Sequence, residues 1–77
     1  MQNSCWVKIR NTVFNLDGLN VVDVTKINHQ HLLNFIFRKD QTLSFSFENE
    51  EQAVHVLGAF WNSFQSEISF IDLDLVE

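Results

Sequence analysis

His29 and His31 stand one residue apart, so in extended backbone both imidazoles project from one side, and a zinc ion held there would need two more ligands. Cys5 and His55 are the remaining soft-ligand candidates, and the spacing among the four matches no zinc pattern. The expectation is a pair of turn and surface histidines with no bound metal and no cofactor. Cys5 with a histidine has the residue types of a nucleophile and its base, but it lies close to the start of the chain, where rigid positioning is hard to provide. Asp72 and Asp74 share one face of an extended segment and resemble a paired-carboxylate site, yet no cation or general-acid partner stands beside them in the sequence. Gly18 and Gly58 are isolated from each other, so no glycine-rich phosphate loop exists. Glu51 and His55, four apart, read as an ordinary helix-surface pair. Taken together these residues predict a protein that is not an enzyme.

The elements that would carry such side chains are bounded by composition. The chain has 77 residues, 45 % hydrophobic, 13 % aromatic and 19 % charged, with two Gly, no Pro and one Cys. That predicts a single domain over residues 1–77, too apolar for disorder and too interrupted for a membrane span. A lone cysteine and an N-terminal run, Met1-Gln2-Asn3-Ser4-Cys5-Trp6, without a basic and apolar leader predict a cytoplasmic protein.

The net charge of −5 is unevenly divided. Residues 1–47 carry five basic against three acidic side chains, a balance of +2, whereas residues 48–77 carry seven acidic and no Lys or Arg, a balance of −7. Glu50, Glu51, Glu67, Asp72 and Asp74 form the expected acidic surface. An acidic surface repels phosphate backbones, so direct nucleic-acid binding is not expected, and docking on a basic protein surface is allowed. Trp6, Lys8 and Arg10 on one strand face, with Arg38 and Lys39 in a turn, are the nearest approach to a nucleic-acid platform; an outer strand face with its long cations extended into water explains them as well.

Hydrophobic periodicity gives the elements. Trp6 to Asn11 alternates as a half-buried strand, with Cys5, Val7, Ile9 and Asn11 on the second face. Turns are expected at Asn11-Thr12 and Asp17-Gly18, with a short strand over residues 13–16 between them. The β-branched run 21–27 is a strand, followed by a connection at residues 28–30. Residues 31–37 are apolar on both faces except at Asn34, which predicts a central strand. A polar turn at 38–41 leads into 42–47, where Leu43, Phe45 and Phe47 alternate with Ser44 and Ser46, and so short a loop requires an antiparallel pair.

At Asn49 the period changes to 3.6, with Asn49 as N-cap, Gln52 three residues on, and Glu50 and Glu51 in the first turn. Ala53, Val54, Val56, Leu57, Phe60, Trp61 and Phe64 fall within an arc of about 160° and predict a helix over 49–64 with a wide buried face. Gly58 at the edge of that arc suggests close approach to a strand. Beyond Ser66 a period of two returns, with Ile68 and Phe70 in one phase and Ile71, Leu73 and Leu75 in the other, which predicts a last acidic strand at a sheet edge. The fold class is therefore α+β: an antiparallel sheet of five to six strands, one amphipathic helix on one face, and a C-terminal acidic strand.

The runs Trp6-Val7-Lys8-Ile9, Phe14-Asn15-Leu16-Asp17-Gly18-Leu19 and Leu43 to Ala53 resemble short uncharacterised bacterial and phage proteins in which several antiparallel strands precede one helix. The similarity spans about residues 6–64 and implies a fold pattern with no shared activity.

One helix covers only one face of such a sheet, so apolar side chains are left over, and contiguous exposed apolar surface marks a protein interface. The expected function is a small non-catalytic module that binds a protein, self-associates, and regulates or inhibits its partner through an apolar sheet face or edge. Leu32, Asn34, Ile36, Ile71 and Leu73 are the expected contact residues. The alternative is an acidic stoichiometric inhibitor, of the phage anti-defence kind, whose carboxylates mimic nucleic-acid phosphates.

Overall fold

A computed structural model describes residues 5–38 and 41–75, with the side chain of Leu75 left aside. The elements in chain order are β1 (Trp6–Ile9), β2 (Thr12–Asn15), β3 (Leu19–Ile27), β4 (Gln30–Phe37), β5 (Thr42–Phe47), α1 (Glu50–Gln65) and β6 (Phe70–Asp72), followed by one 3-10 turn (Leu73–Leu75). The fold class is α+β, as expected. The strands do not form one sheet, however: they divide into two sheets of three, ordered β2-β1-β6 and β3-β4-β5. Contacts along the chain divide it likewise into two units, Met1–Asp17 with Gly58–Glu77, and Gly18–Leu57.

In the first unit β1 is central. It pairs antiparallel with β2 in the register Trp6↔Asn15, Val7↔Phe14, Lys8↔Val13, and parallel with β6 in the register Trp6↔Phe70, Val7↔Ile71, Lys8↔Asp72. A parallel pair needs a long excursion between its strands, and here everything from β2 to α1 supplies it. The pleat then sorts the rows. Phe14, Val7 and Ile71 lie side by side and are all buried, whereas Asn15, Trp6 and Phe70 form the next row on the opposite face. The first strand is shorter than its alternation suggested, because Arg10 and Asn11 form the hairpin turn, with Arg10 at φ 57°. The turn at Asp17-Gly18 is where the sequence placed it, with Gly18 at φ 84° and Asn15 Oδ1 accepting from the Asp17 N–H at 2.7 Å.

In the second unit β4 is the central strand, as its two apolar faces predicted. Asn28 and His29, at φ 50° and 68°, make a two-residue hairpin between Ile27 and Gln30, the geometry of a type I′ turn. The turn after Phe37 is closed by the Phe37 N–H donating to the Gln41 carbonyl at 2.7 Å, and Lys39 and Asp40, which the sequence also assigned to it, lie outside the described residues. Leu33, Phe35 and Phe45 are buried on one face, with the rings of Phe35 and Phe45 edge to face at 6.0 Å.

Helix α1 begins where the cap was expected: Asn49 Oδ1 accepts from the Gln52 N–H at 2.9 Å. Its buried side is narrower than its apolar arc. Ala53, Val56 and Phe60 are buried, about 60° of arc, while Val54, Trp61 and Phe64 are exposed. Gly58 makes no close approach, since a Cβ there would find nothing within 4 Å.

The C-terminal strand is the largest departure. It is only Phe70–Asp72, and the chain then tightens into the 3-10 turn because Asp72 Oδ1 accepts the Asp74 N–H at 3.0 Å. Among the described residues no helix is long and apolar enough to cross a membrane.

Candidate functional site

The five residues expected to make contact are not one surface. Ile71 and Leu73 are 3 % exposed, which corrects the expectation that they face a partner. Parallel pairing puts Ile71 in the buried row with Val7 and Phe14. Leu32, Asn34 and Ile36 do share one face of β4, in the second unit, with Leu32 and Ile36 half-buried. Asn34 lies across the sheet from Asp23 on β3 and Ser44 on β5. Its Nδ2 donates to Asp23 Oδ1 at 2.8 Å and to Thr25 Oγ1 at 3.0 Å, and its Oδ1 accepts from Ser44 Oγ at 2.7 Å. The amide is thus bound within the sheet, and its polar atoms tie three strands together.

The acidic residues separate in the same way. Glu50 and Glu51 are exposed in the first turn of α1, where the helix dipole favours them, and Glu67 is exposed just beyond its end. Asp74 is engaged inside the first unit: it forms an ion pair with Lys8 Nζ, and its Oδ1 accepts the Arg10 N–H at 2.6 Å. The hydrogen bond from Lys8 and that from the Arg10 backbone hold the Asp74 carboxyl below its ordinary value of 3.8. Lys8 is correspondingly raised above 10.5 by its bond to Asp74, with the charges of Asp74 and Asp72 adding to it. The carboxylate pair that resembled acid–base machinery fastens the C-terminal segment to β1 and caps the 3-10 turn.

On the strand face that carries Trp6, Lys8 and Arg10, Lys8 is paired with Asp74, and the exposed Arg10 gives its backbone N–H to the same carboxylate. His29 sits in the hairpin turn and His31 in β4, so the H-x-H pair does not lie along one extended segment. Among the described residues no three His, Cys, Asp or Glu side chains are grouped to hold a metal ion. Cys5 donates from Sγ to the Ile68 carbonyl at 3.2 Å, and partial burial raises its thiol above 9.0.

What the first unit leaves in water is aromatic. Trp6 and Phe70 are cross-strand partners in adjacent strands about 4.8 Å apart, and they are 44 % and 48 % exposed. Val13, two rows of β2 and β1 away from Phe70 on the same face, is 54 % exposed, and Ile68 is exposed at the approach to β6. On the helical part of this unit Trp61 and Phe64 are also exposed, with their rings stacked at 5.8 Å. Sequence periodicity put Trp6 on an outer strand face and Phe70 in the phase opposite Ile71 and Leu73, the residues expected to make contact. Their juxtaposition depends on a parallel pairing across 64 positions, and no local pattern encodes it. No protein-family model matches the chain, and neither a curated protein nor a solved structure is significantly similar to it.

Proposed function

We propose that this chain is a small non-catalytic module that binds a protein, self-associates, and regulates or inhibits its partner through apolar sheet surface. One observation carries the reading: Trp6 and Phe70 stand side by side in water on a sheet face that Val13 extends. Each large side chain withdrawn from water gains about 1.5–3 kcal/mol, and aromatic residues anchor most interfaces. A chain with so little interior to spare leaves that surface out of its own core, and a partner is the simplest use of it. The non-catalytic part is supported by the engagement of Asp72 and Asp74 in internal bonds. A cytoplasmic setting rests on the single cysteine, Cys5.

Capture from an extract of the source cell, with the parent chain and a Trp6→Ser, Phe70→Ser variant immobilised side by side, tests the surface. The parent is expected to retain a protein that the variant loses, at similar melting temperatures. Equal retention by both would remove this face from the account. Retention that collapses with added salt would favour the acidic-inhibitor reading, with Glu48, Glu50, Glu51 and Glu67 as the exposed carboxylates of residues 48–75.

A further inference from the structure

Among the described strands, β3 and β5 are the edges of the second unit's sheet, each paired with β4 alone. An edge strand presents backbone donors and acceptors with no partner and is a template for another strand. Which amides face outward follows from the ladder. The Arg38 N–H donates to the Gly18 carbonyl at 3.0 Å and the Phe37 N–H to the Gln41 carbonyl at 2.7 Å, so even-numbered residues of β4 bond toward β3 and odd-numbered ones toward β5. Through the register Val21↔Ile36, Asp23↔Asn34, Thr25↔Leu32, Ile27↔Gln30, the amides of Val21, Asp23, Thr25 and Ile27 turn inward to β4. Those of Val22, Val24 and Lys26 turn to the open edge.

We infer that β3 pairs antiparallel with β3 of a second copy about a two-fold axis at Val24, joining two three-stranded sheets into one. The inference deepens the protein-binding reading by naming a partner and a surface separate from Trp6 and Phe70. In this register Val24 meets Val24 and Val22 meets Lys26, so the amides of Val22, Val24 and Lys26 are matched in about six backbone hydrogen bonds. Val21 meets Ile27 at the closer, non-hydrogen-bonded positions; these two, 41 % and 55 % exposed, are the exposed large apolar residues of the strand and lie three positions to either side of the axis. Asp23 meets Thr25. The lysine stem lies along Val22 with its ammonium in water.

Neighbouring registers are worse for identifiable reasons. A shift that changes the parity of the pairing sets inward-turned amides against outward ones. An axis at Asp23 places two carboxylates directly opposite each other, and an axis at Thr25 faces Asp23 with Ile27 and carries Val22 into the Asn28 turn. The β5 edge is shorter and has no exposed large apolar residue.

Two experiments on the full chain test this. Amide exchange of the parent, at high and low protein concentration, should show Val22, Val24 and Lys26 exchanging at least tenfold faster on dilution, with Val21, Asp23 and Thr25 unchanged. In a Cys5→Ser background, Val24→Cys should form a disulfide dimer of twice the 9.0 kDa chain at least tenfold faster than Lys26→Cys, because only position 24 meets itself. A mass of one chain at every concentration, equal cross-linking at 24 and 26, or protection confined to Thr42, Ser44 and Ser46 of β5 would overturn the pairing. Any of those results leaves the Trp6–Phe70 surface untouched, and equal capture by the parent and the Trp6→Ser, Phe70→Ser variant with β3 pairing intact would count against the aromatic face alone.

Discussion

Asp74 shows how one side chain can be legible in type and illegible in role. The sequence marks it as half of a carboxylate pair; its engagement with Lys8 and the Arg10 N–H needs the chain to return across more than sixty residues. Its carboxyl sits below 3.8 in the folded protein, so its contribution to stability is complete above that value and lost as pH falls through the lowered one. Lys8 mirrors this, contributing fully below 10.5 and losing its share as pH rises through its raised value. Asp74→Ala should therefore melt at a lower temperature than the parent at pH 7, with the gap closing as the melts are repeated at successively lower pH below 3.8. A gap that persists in acid would mean the carboxylate is not what fastens the C-terminal segment. Asn34 was recognisable as the polar exception in β4, and its cross-strand partners were not, since they depend on register. Asn34→Ala leaves Ser44 and Asp23 without their shared partner and should cost about 1–3 kcal/mol in a denaturant melt.

At the scale of elements, β4, β5 and α1 were readable because two-residue alternation and the Asn49 cap are local signals. The helix start agrees to within a residue, while its buried arc was overestimated because periodicity ranks apolar side chains together without saying how much of the arc a neighbour covers. Phe60→Ala should cost about 3–5 kcal/mol as a buried truncation, whereas Trp61→Ala should change stability by no more than about 0.5 kcal/mol as an exposed one. Similar losses for both would show that the helix buries the wider arc after all. Gly58, at the edge of the apolar arc, has open space around it and makes no close approach. Gly58→Ala should stabilise the chain by about 0.5–1 kcal/mol. Glu67, at φ 60°, follows the last turn of α1, where the Glu67 N–H donates to the Phe64 carbonyl at 3.1 Å. Glu67→Gly should relieve about 1 kcal/mol of left-handed backbone cost, read as a higher melting temperature. The final strand is shorter than its pattern because Asp72 and Asp74 continue a period of two that the backbone abandons for a 3-10 turn.

For the whole molecule, surplus apolar surface was predictable from one helix set against so many apolar strands; which residues carry it was not. Splitting the strands into two sheets and closing β6 against β1 buries Ile71 and Leu73 and leaves Trp6 and Phe70 in water. Local patterning sorts each strand into two phases, and only the long-range pairing decides which phase of β6 is buried and which outward residues become neighbours. The claim on which the account rests is that this aromatic pair is the contact. The most direct test is the dissociation constant of the captured partner for the parent and for the Trp6→Ser, Phe70→Ser variant, each measured at low and high salt. The account predicts binding weakened by about 100-fold or more in the variant, as for the loss of two interface anchors, with the parent's affinity nearly independent of salt. An affinity unchanged in the variant, or one that falls steeply with salt in the parent, would contradict it.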